Sequence, residues 1–196
     1  MALSEQFQPF NAASGRFATE DGAFIIEAGP ATDFFTNPDG SPPVANAPGL
    51  AVPVDGPVFT LAARLTVRLA TTYDAGSLMV RTAAGPWAKF AFERSPLGRP
   101  TIVSVVTKDT SDDGNGEEVT GDSVWLRVHR NGPVLAFHWS LDGRFYKLAR
   151  LFSLGADPAG LTIGLLAQSP MGPGATVRFD AIAIDRQPIA DLRDGS

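Results

Sequence analysis

Polar and aromatic side chains alternate with apolar ones in several segments of the chain. In the run Trp87–Glu93, for example, Lys89 and Glu93 share one set of alternate positions, while Phe90 and Phe92 occupy the other. Tryptophan rings stack on the C–H faces of sugars, and planar polar groups form paired hydrogen bonds with hydroxyls. The pattern predicts a site for a small carbohydrate or related polar metabolite, formed by Arg81, Trp87, Lys89, Glu93, Trp125, Arg127, His138 and Gln168.

Each residue type in this set has an expected role. The tryptophans would stack on the ligand, the cationic and amide side chains would bind hydroxyls or an acidic substituent, and Glu93 and His138 would fix its orientation. The alternative is ordinary cross-strand pairing of Arg81 or Lys89 with Glu93, with the tryptophans covered by loops.

Signals for catalysis are weaker than those for binding. Cleavage of a glycosidic bond by two carboxyl groups needs a separation of about 5–9 Å, yet Glu93 is the only acid at the outward strand positions, with Asp33 and Asp74 in nearby loops. The sequence lacks a G-x-S-x-G motif and phosphate-binding glycine patterns, and its two histidines lack metal-ligand spacing.

We therefore expect a binding or regulatory role without turnover, and we assign no catalytic residue, metal ion or cofactor. Two alternatives remain open. The first is an enzyme acting on a sugar or sugar acid, with Glu93 or His138 as general acid or base and its pKa tuned by Lys89 and Arg81. The second is a protein-interaction module.

The segment Asp109–Asp122 carries six carboxylates in fourteen residues. Clustered oxygen ligands suit calcium, but the segment lacks the ligand order of an EF-hand loop and its closing glutamate. The composition favours an acidic, solvated hairpin tip, with a calcium loop as the alternative.

Alternation with a period of two predicts the elements that would position these residues. The predicted strands are Phe24–Glu27, Phe59–Leu69, Gly76–Arg81, Trp87–Glu93, Thr101–Thr107, Val124–Arg130, Val134–Ser140, Phe145–Phe152, Leu161–Gln168 and Val177–Ile184. About ten short strands, with turn signals such as Asp142-Gly143 between them, predict an all-β, two-sheet antiparallel sandwich. The Pro-rich stretches Asn37–Pro57 and Ser169–Pro173 are predicted to be loops that supply no central strand.

Composition limits the classes of function. A chain of 196 residues with 44% hydrophobic residues predicts a single folded domain over residues 1–196, with its core within roughly residues 5–185. The formal net charge of −5 argues against nucleic-acid binding. Cysteine is absent, and neither a secretory signal nor an apolar run long enough for a membrane span is visible, so we expect a cytoplasmic protein.

Eight blocks of the sequence, in order, resemble a family of domains of unknown function that includes the fungal regulation-of-enolase protein. The blocks are Thr32–Gly40, Ala47–Leu50, Tyr73–Arg81, Trp87–Glu93, Ile102–Asp113, Val124–Arg130, His138–Gly143 and Gly164–Pro170. The resemblance implies a concanavalin A-like jelly roll of the lectin/glucanase type, with a ligand site on a concave sheet face. It adds Tyr73 and Asp74 to the candidate residues and makes a metabolic enzyme a candidate partner. The E-x-D-x-x-E run of glucanase relatives is absent, which argues against hydrolysis.

These expectations converge on one spatial prediction. Lys89, Glu93, Trp125, Arg127 and His138 should lie together on a single hollow surface of the sandwich. Exposed edge strands in such a fold can pair between copies, which makes a homodimer a candidate assembly.

Overall fold

The computed structural model describes residues 6–155 and 160–195, and it shows two seven-stranded antiparallel sheets packed face to face. With strands numbered in chain order, the first sheet runs β1 (Gln8–Phe10), β6 (Gly49–Val54), β15 (Leu161–Gln168), β8 (Ala75–Arg81), β9 (Trp87–Arg94), β10 (Pro100–Thr107) and β11 (Ser111–Glu118). The second runs β14 (Lys147–Phe152), β13 (Val134–Ser140), β12 (Ser123–Asn131), β7 (Val58–Val67), β16 (Ala175–Asp185), β3 (Ala23–Ala28) and β2 (Gly15–Glu20). This confirms the predicted all-β antiparallel sandwich.

The core lies between the sheets and follows from the alternation. In β7, the alternate residues Phe59, Leu61 and Leu65 are fully buried, because one face of this central strand packs against the first sheet. Phe90 of β9 stacks on Phe137 of β13, with ring centroids 4.7 Å apart, which joins the two sheets.

The outer face of the first sheet is also partly buried, under residues 29–48, which we call the covering loop. This loop contains a short ribbon of β4 (Phe34–Phe35) and β5 (Val44–Ala45). Phe34 packs edge-on against Trp87, with centroids 4.9 Å apart. The loop is tied down where the main chains of Thr32 and Ser169 exchange hydrogen bonds of 3.2 and 3.3 Å. Strands β8, β9 and β10 are therefore buried on both faces over most of their length.

Two predicted loops contain strands. β6 lies inside the Pro-rich stretch and is second from the sheet edge, which corrects the prediction that this stretch supplies only loops. Pro53 is tolerated because β1 pairs only with Gly49–Ala51, so β6 is itself the edge at Pro53.

The acidic segment forms an edge strand, β11, that pairs with β10, where a solvated hairpin tip was predicted. Charged residues at a sheet edge discourage pairing with other chains, which accounts for acids in a strand. The described residues contain no cluster of three or more histidine, aspartate or glutamate side chains placed to hold a metal ion. They also contain no helix with the length and apolar character needed to cross a bilayer.

Candidate functional site

A cavity of about 410 Å³ opens between the covering loop and the outer face of the first sheet. Its lining combines polar side chains of the sheet with aromatic and acidic side chains from loops and the edge strand. The lining residues that bear on its chemistry are Asp33, Tyr73, Lys89, Glu93, Asp113 and Gln168, with Phe35 beside them.

The register of β9 creates the cavity floor. Lys89, Ala91 and Glu93 alternate with the core residues of this strand, so all three lie on the outer face. Ala91 pairs with Ser77 on one side and Val103 on the other. Lys89 and Glu93 stand on either side of Ala91 along the strand, and together with Val103 and Val105 of β10 they line the cavity.

Lys89 is buried, and its ammonium group already has partners in the protein. Its Nζ lies 3.2 Å from Oδ1 of Asp33 and donates a 2.8 Å hydrogen bond to Oε1 of Gln168. The Gln168 amide in turn donates to the main-chain oxygen of Tyr73 at 3.2 Å. These contacts compensate for the cost of burying a cation.

Glu93 is 7% exposed, and among the described residues its carboxyl group has no hydrogen-bond partner. Burial raises the pKa of Glu93 to about 7. Lys89 opposes this rise, while Asp33 and Asp113 add to it. Glu93 therefore gains and loses its proton near neutral pH inside an open cavity.

Tyr73 reaches the cavity from a strained turn. Its backbone lies in the left-handed region with φ of 68°, which costs roughly 1 kcal/mol for a residue other than glycine. The fully buried Asp74 holds this turn, since its carboxylate accepts hydrogen bonds from the Thr71 amide at 2.7 Å and the Ser169 hydroxyl at 2.7 Å. Asp74 is therefore a positioning residue outside the cavity.

The spatial prediction of one shared surface is wrong. Trp125, Arg127 and His138 lie in β12 and β13 of the second sheet, whereas Lys89 and Glu93 lie in the first. Their outward face was assigned correctly, because they alternate with the core residues Leu126 and Phe137. Alternation fixes the face of a strand within its own sheet, but it leaves the choice of sheet undetermined.

On the second sheet, Arg127 and His138 each form one hydrogen bond to the main chain near the C-terminal end, while Nε of Arg127 and Nδ1 of His138 have no hydrogen-bond partner among the described residues. Arg127 donates a 2.7 Å hydrogen bond to the Gly195 carbonyl and lies 4.0 Å from the Tyr146 ring centroid. Nε2 of the fully buried His138 lies 2.7 Å from the carbonyl of Leu192. Burial lowers the pKa of His138 to about 4, so the imidazole is neutral at pH 7.

Trp87 and Arg81 lie on the outer face of the first sheet but are absent from the cavity lining. Trp87 is 7% exposed because Phe34 covers it, and the Arg81 guanidinium lies 5.4 Å from the centroid of the same Phe34 ring. The structure thus brings together four of the ten predicted residues, namely Tyr73, Lys89, Glu93 and Gln168.

Sequence reasoning missed several cavity residues. Phe35 belongs to a Pro- and Asn-rich loop without periodicity, and Asp113 and Asn115 belong to the segment interpreted as a hairpin tip. The sequence places Asp33 only in a nearby loop, outside the predicted site. The clustering of acids in Asp109–Asp122 was the one available signal for Asp113.

Residues 11–187 match the model of a family described as Protein of unknown function (DUF1349). The chain belongs to this family. No curated protein matches the DUF1349 chain. A functionally unknown protein from Saccharomyces cerevisiae has a similar structure, with a TM-score of 0.84 and 26% identity over 94% of this chain and 98% of that chain.

The DUF1349 fold also resembles that of carbohydrate-active proteins. The GH43 protein BlXynB from Bacillus licheniformis superposes with a TM-score of 0.75 and 12% identity, over 95% of this chain and 38% of that chain. An alginate lyase from Klebsiella pneumoniae superposes with a TM-score of 0.58 and 11% identity, over 87% of this chain and 84% of that chain. At these identities the similarity concerns the fold.

Proposed function

We propose that the cavity between the covering loop and the first sheet binds a small carbohydrate or related polyol. The carrying observation is the buried Glu93 carboxyl group, which lines the cavity without a hydrogen-bond partner among the described residues. The carboxyl oxygens are not fully shielded from the cavity, so a ligand hydroxyl can replace solvent as their hydrogen-bond partner.

The rest of the lining supports a ligand of this class. Tyr73 and Phe35 supply aromatic surface for the C–H face of a sugar ring, and Asn37 and Asn115 supply amide groups for its hydroxyls. The volume of about 410 Å³ is in the range of small-molecule sites. The fold similarity to carbohydrate-active proteins is consistent with this ligand class but adds only an analogy.

A thermal-shift screen against neutral monosaccharides and polyols tests the proposal. A ligand at 100 times its dissociation constant stabilises the folded protein by about 2.7 kcal/mol. We expect Glu93→Gln to change the ligand-induced shift, and the exposed edge-strand control Glu118→Gln to leave it unaltered. If no sugar raises Tm and a pull-down instead recovers one stoichiometric metabolic enzyme, an interaction role replaces the proposal.

Catalysis at the same site is the second candidate function. A carboxyl group whose pKa is about 7 suits general acid–base chemistry at neutral pH. Asp33 and Asp113 lie close enough to raise the pKa of this carboxyl group. His138 is not available for this role because it is buried on the second sheet. Turnover of a bound sugar that disappears in Glu93→Gln, with affinity retained, would establish this function.

A further inference from the structure

The cavity contains more acidic groups than cationic ones, and its lysine is already paired. Asp33, Glu93 and Asp113 line it together with a single cation, Lys89, among the described lining residues. The Lys89 ammonium is engaged by Asp33 and Gln168. Within the described part of the chain, the carboxylates of Glu93 and Asp113 have no ion pair or hydrogen bond. The charged side chains that remain free to bind a ligand are therefore acidic.

We infer that the preferred ligand is an amino sugar whose ammonium group pairs with Glu93. This inference rests on the carbohydrate site proposed above and adds the charge of its ligand. Asp113 contributes to the negative potential around the same point from the edge strand. Tyr73 and Phe35 add aromatic side chains to the lining, and aromatic rings favour cations as well as sugars; the Lys89 ammonium already lies 5.8 Å from the centroid of the Phe35 ring.

The same inventory disfavours a sugar acid, which the sequence left open as an alternative. A ligand carboxylate would need a free cation, but only 3% of the Lys89 side chain is exposed and its partners are in place. The ligand would also face the unpaired carboxylates of Glu93 and Asp113, so like charges would oppose binding.

Binding of an ammonium group should depend on pH. The charged groups that act on Glu93 are Lys89 on its own strand, Asp33 on the covering loop and Asp113 on β11, and Tyr73 also lines the cavity. Burial leaves the free carboxyl group about half protonated at pH 7, and only the ionised form pairs with an ammonium group. Because the apparent affinity for an ammonium ligand is proportional to the fraction of Glu93 that is ionised, it should rise about tenfold from pH 6 to pH 8. Binding to protein whose Glu93 is protonated should release that proton.

Three hexoses that differ only at carbon 6 test the inference. Glucose, 6-amino-6-deoxyglucose and glucuronate present a hydroxyl, an ammonium and a carboxylate on the same ring, and the galactose series provides a second stereochemistry. A primary alkyl amine stays charged across pH 6–8, as lysine does. Calorimetric titrations at pH 7.5 should give an affinity for the amino sugar at least tenfold above that for the neutral sugar, and the acid should bind least.

Variants separate the contributions. Glu93→Gln should remove the amino-sugar preference and the pH dependence, Asp113→Asn should reduce the preference about twofold to fivefold, and Glu118→Gln should change neither. Equal binding of neutral and amino sugars, or tightest binding of the acid, would overturn the inference while the carbohydrate site stands. Failure of all three sugars in both series would overturn both proposals.

Discussion

Replacing Glu93 with glutamine is expected to stabilise the protein, and mainly above neutral pH. Burial raises the pKa of Glu93 from 4.5 to about 7, so the folded protein holds this proton more tightly than the unfolded chain does. The contribution of Glu93 to stability is therefore fully present below pH 4.5 and is lost as the pH rises through 7. At pH 8 the loss amounts to roughly 3 kcal/mol, and at pH 5 it is roughly 1 kcal/mol.

Urea unfolding of wild type and Glu93→Gln at pH 5 and pH 8 measures this effect. Glutamine carries no titrating proton, so the variant should gain about 2 kcal/mol more over wild type at pH 8 than at pH 5. The difference between the two proteins cancels the titration of all other groups that the substitution leaves unperturbed. Glu118→Gln, at an exposed position of β11, should show no such gain.

A stability gain of Glu93→Gln that is the same at pH 5 and pH 8 would refute the conclusion that Glu93 is buried and exchanges its proton near neutral pH. A loss of stability at pH 8 would show that the ionised Glu93 is well compensated in the folded state. Either result would remove the observation on which the proposed binding site depends.

Three further predictions concern the elements that surround the site. Phe34→Ala should lower the free energy of unfolding, measured by urea titration, by about 3 kcal/mol, because Phe34 is buried against Trp87. The control is Phe145→Ala, at a position that is 82% exposed, and equal losses in the two variants would contradict the packing role of Phe34. Asp74→Asn should cost about 2 kcal/mol, since an amide cannot accept all the bonds made to this carboxylate; an unchanged urea midpoint would contradict this. Burial lowers the pKa of His129 and His138 to about 4, so the unfolded chain takes up these protons at a higher pH than the folded protein does. As the pH falls from 6.5 to 4, the free energy of unfolding should therefore decrease by up to about 3 kcal/mol per histidine. The measurement uses the Glu93→Gln background, where Glu93 does not titrate, and an unfolding free energy that stays constant over this range would contradict the prediction.

Much of the sandwich could be predicted because its strands alternate regularly. β13 and β15 have the predicted bounds, Val134–Ser140 and Leu161–Gln168. The outward positions of Lys89 and Glu93 also followed from alternation, since Phe90 and Phe92 fill the core. β6 and β11 were missed because a proline and a run of acids obscure their pattern, and both are tolerated only near a sheet edge.

The candidate site was predicted in part, for a definite physical reason. Local pattern determines which side chains leave the core, but pairing between distant strands decides which sheet they join. Trp125 and Arg127 therefore could not be assigned to a sheet from their own segment. The coverage of Trp87 by Phe34, and of His138 by the main chain at Leu192, comes from segments without periodicity. No pattern within those segments indicates what they pack against.

Mapping of amide chemical shifts during titration with 6-amino-6-deoxyglucose tests most directly whether the cavity is the binding site, and the galactose analogue serves as the second probe. Binding there should shift the resonances of Lys89, Glu93 and Gln168, together with those of the covering loop near Asp33 and Phe35. The resonances of Arg127 and His138 on the second sheet should remain in place. Shifts confined to the second sheet, with the cavity residues unmoved, would contradict the proposed location of the site.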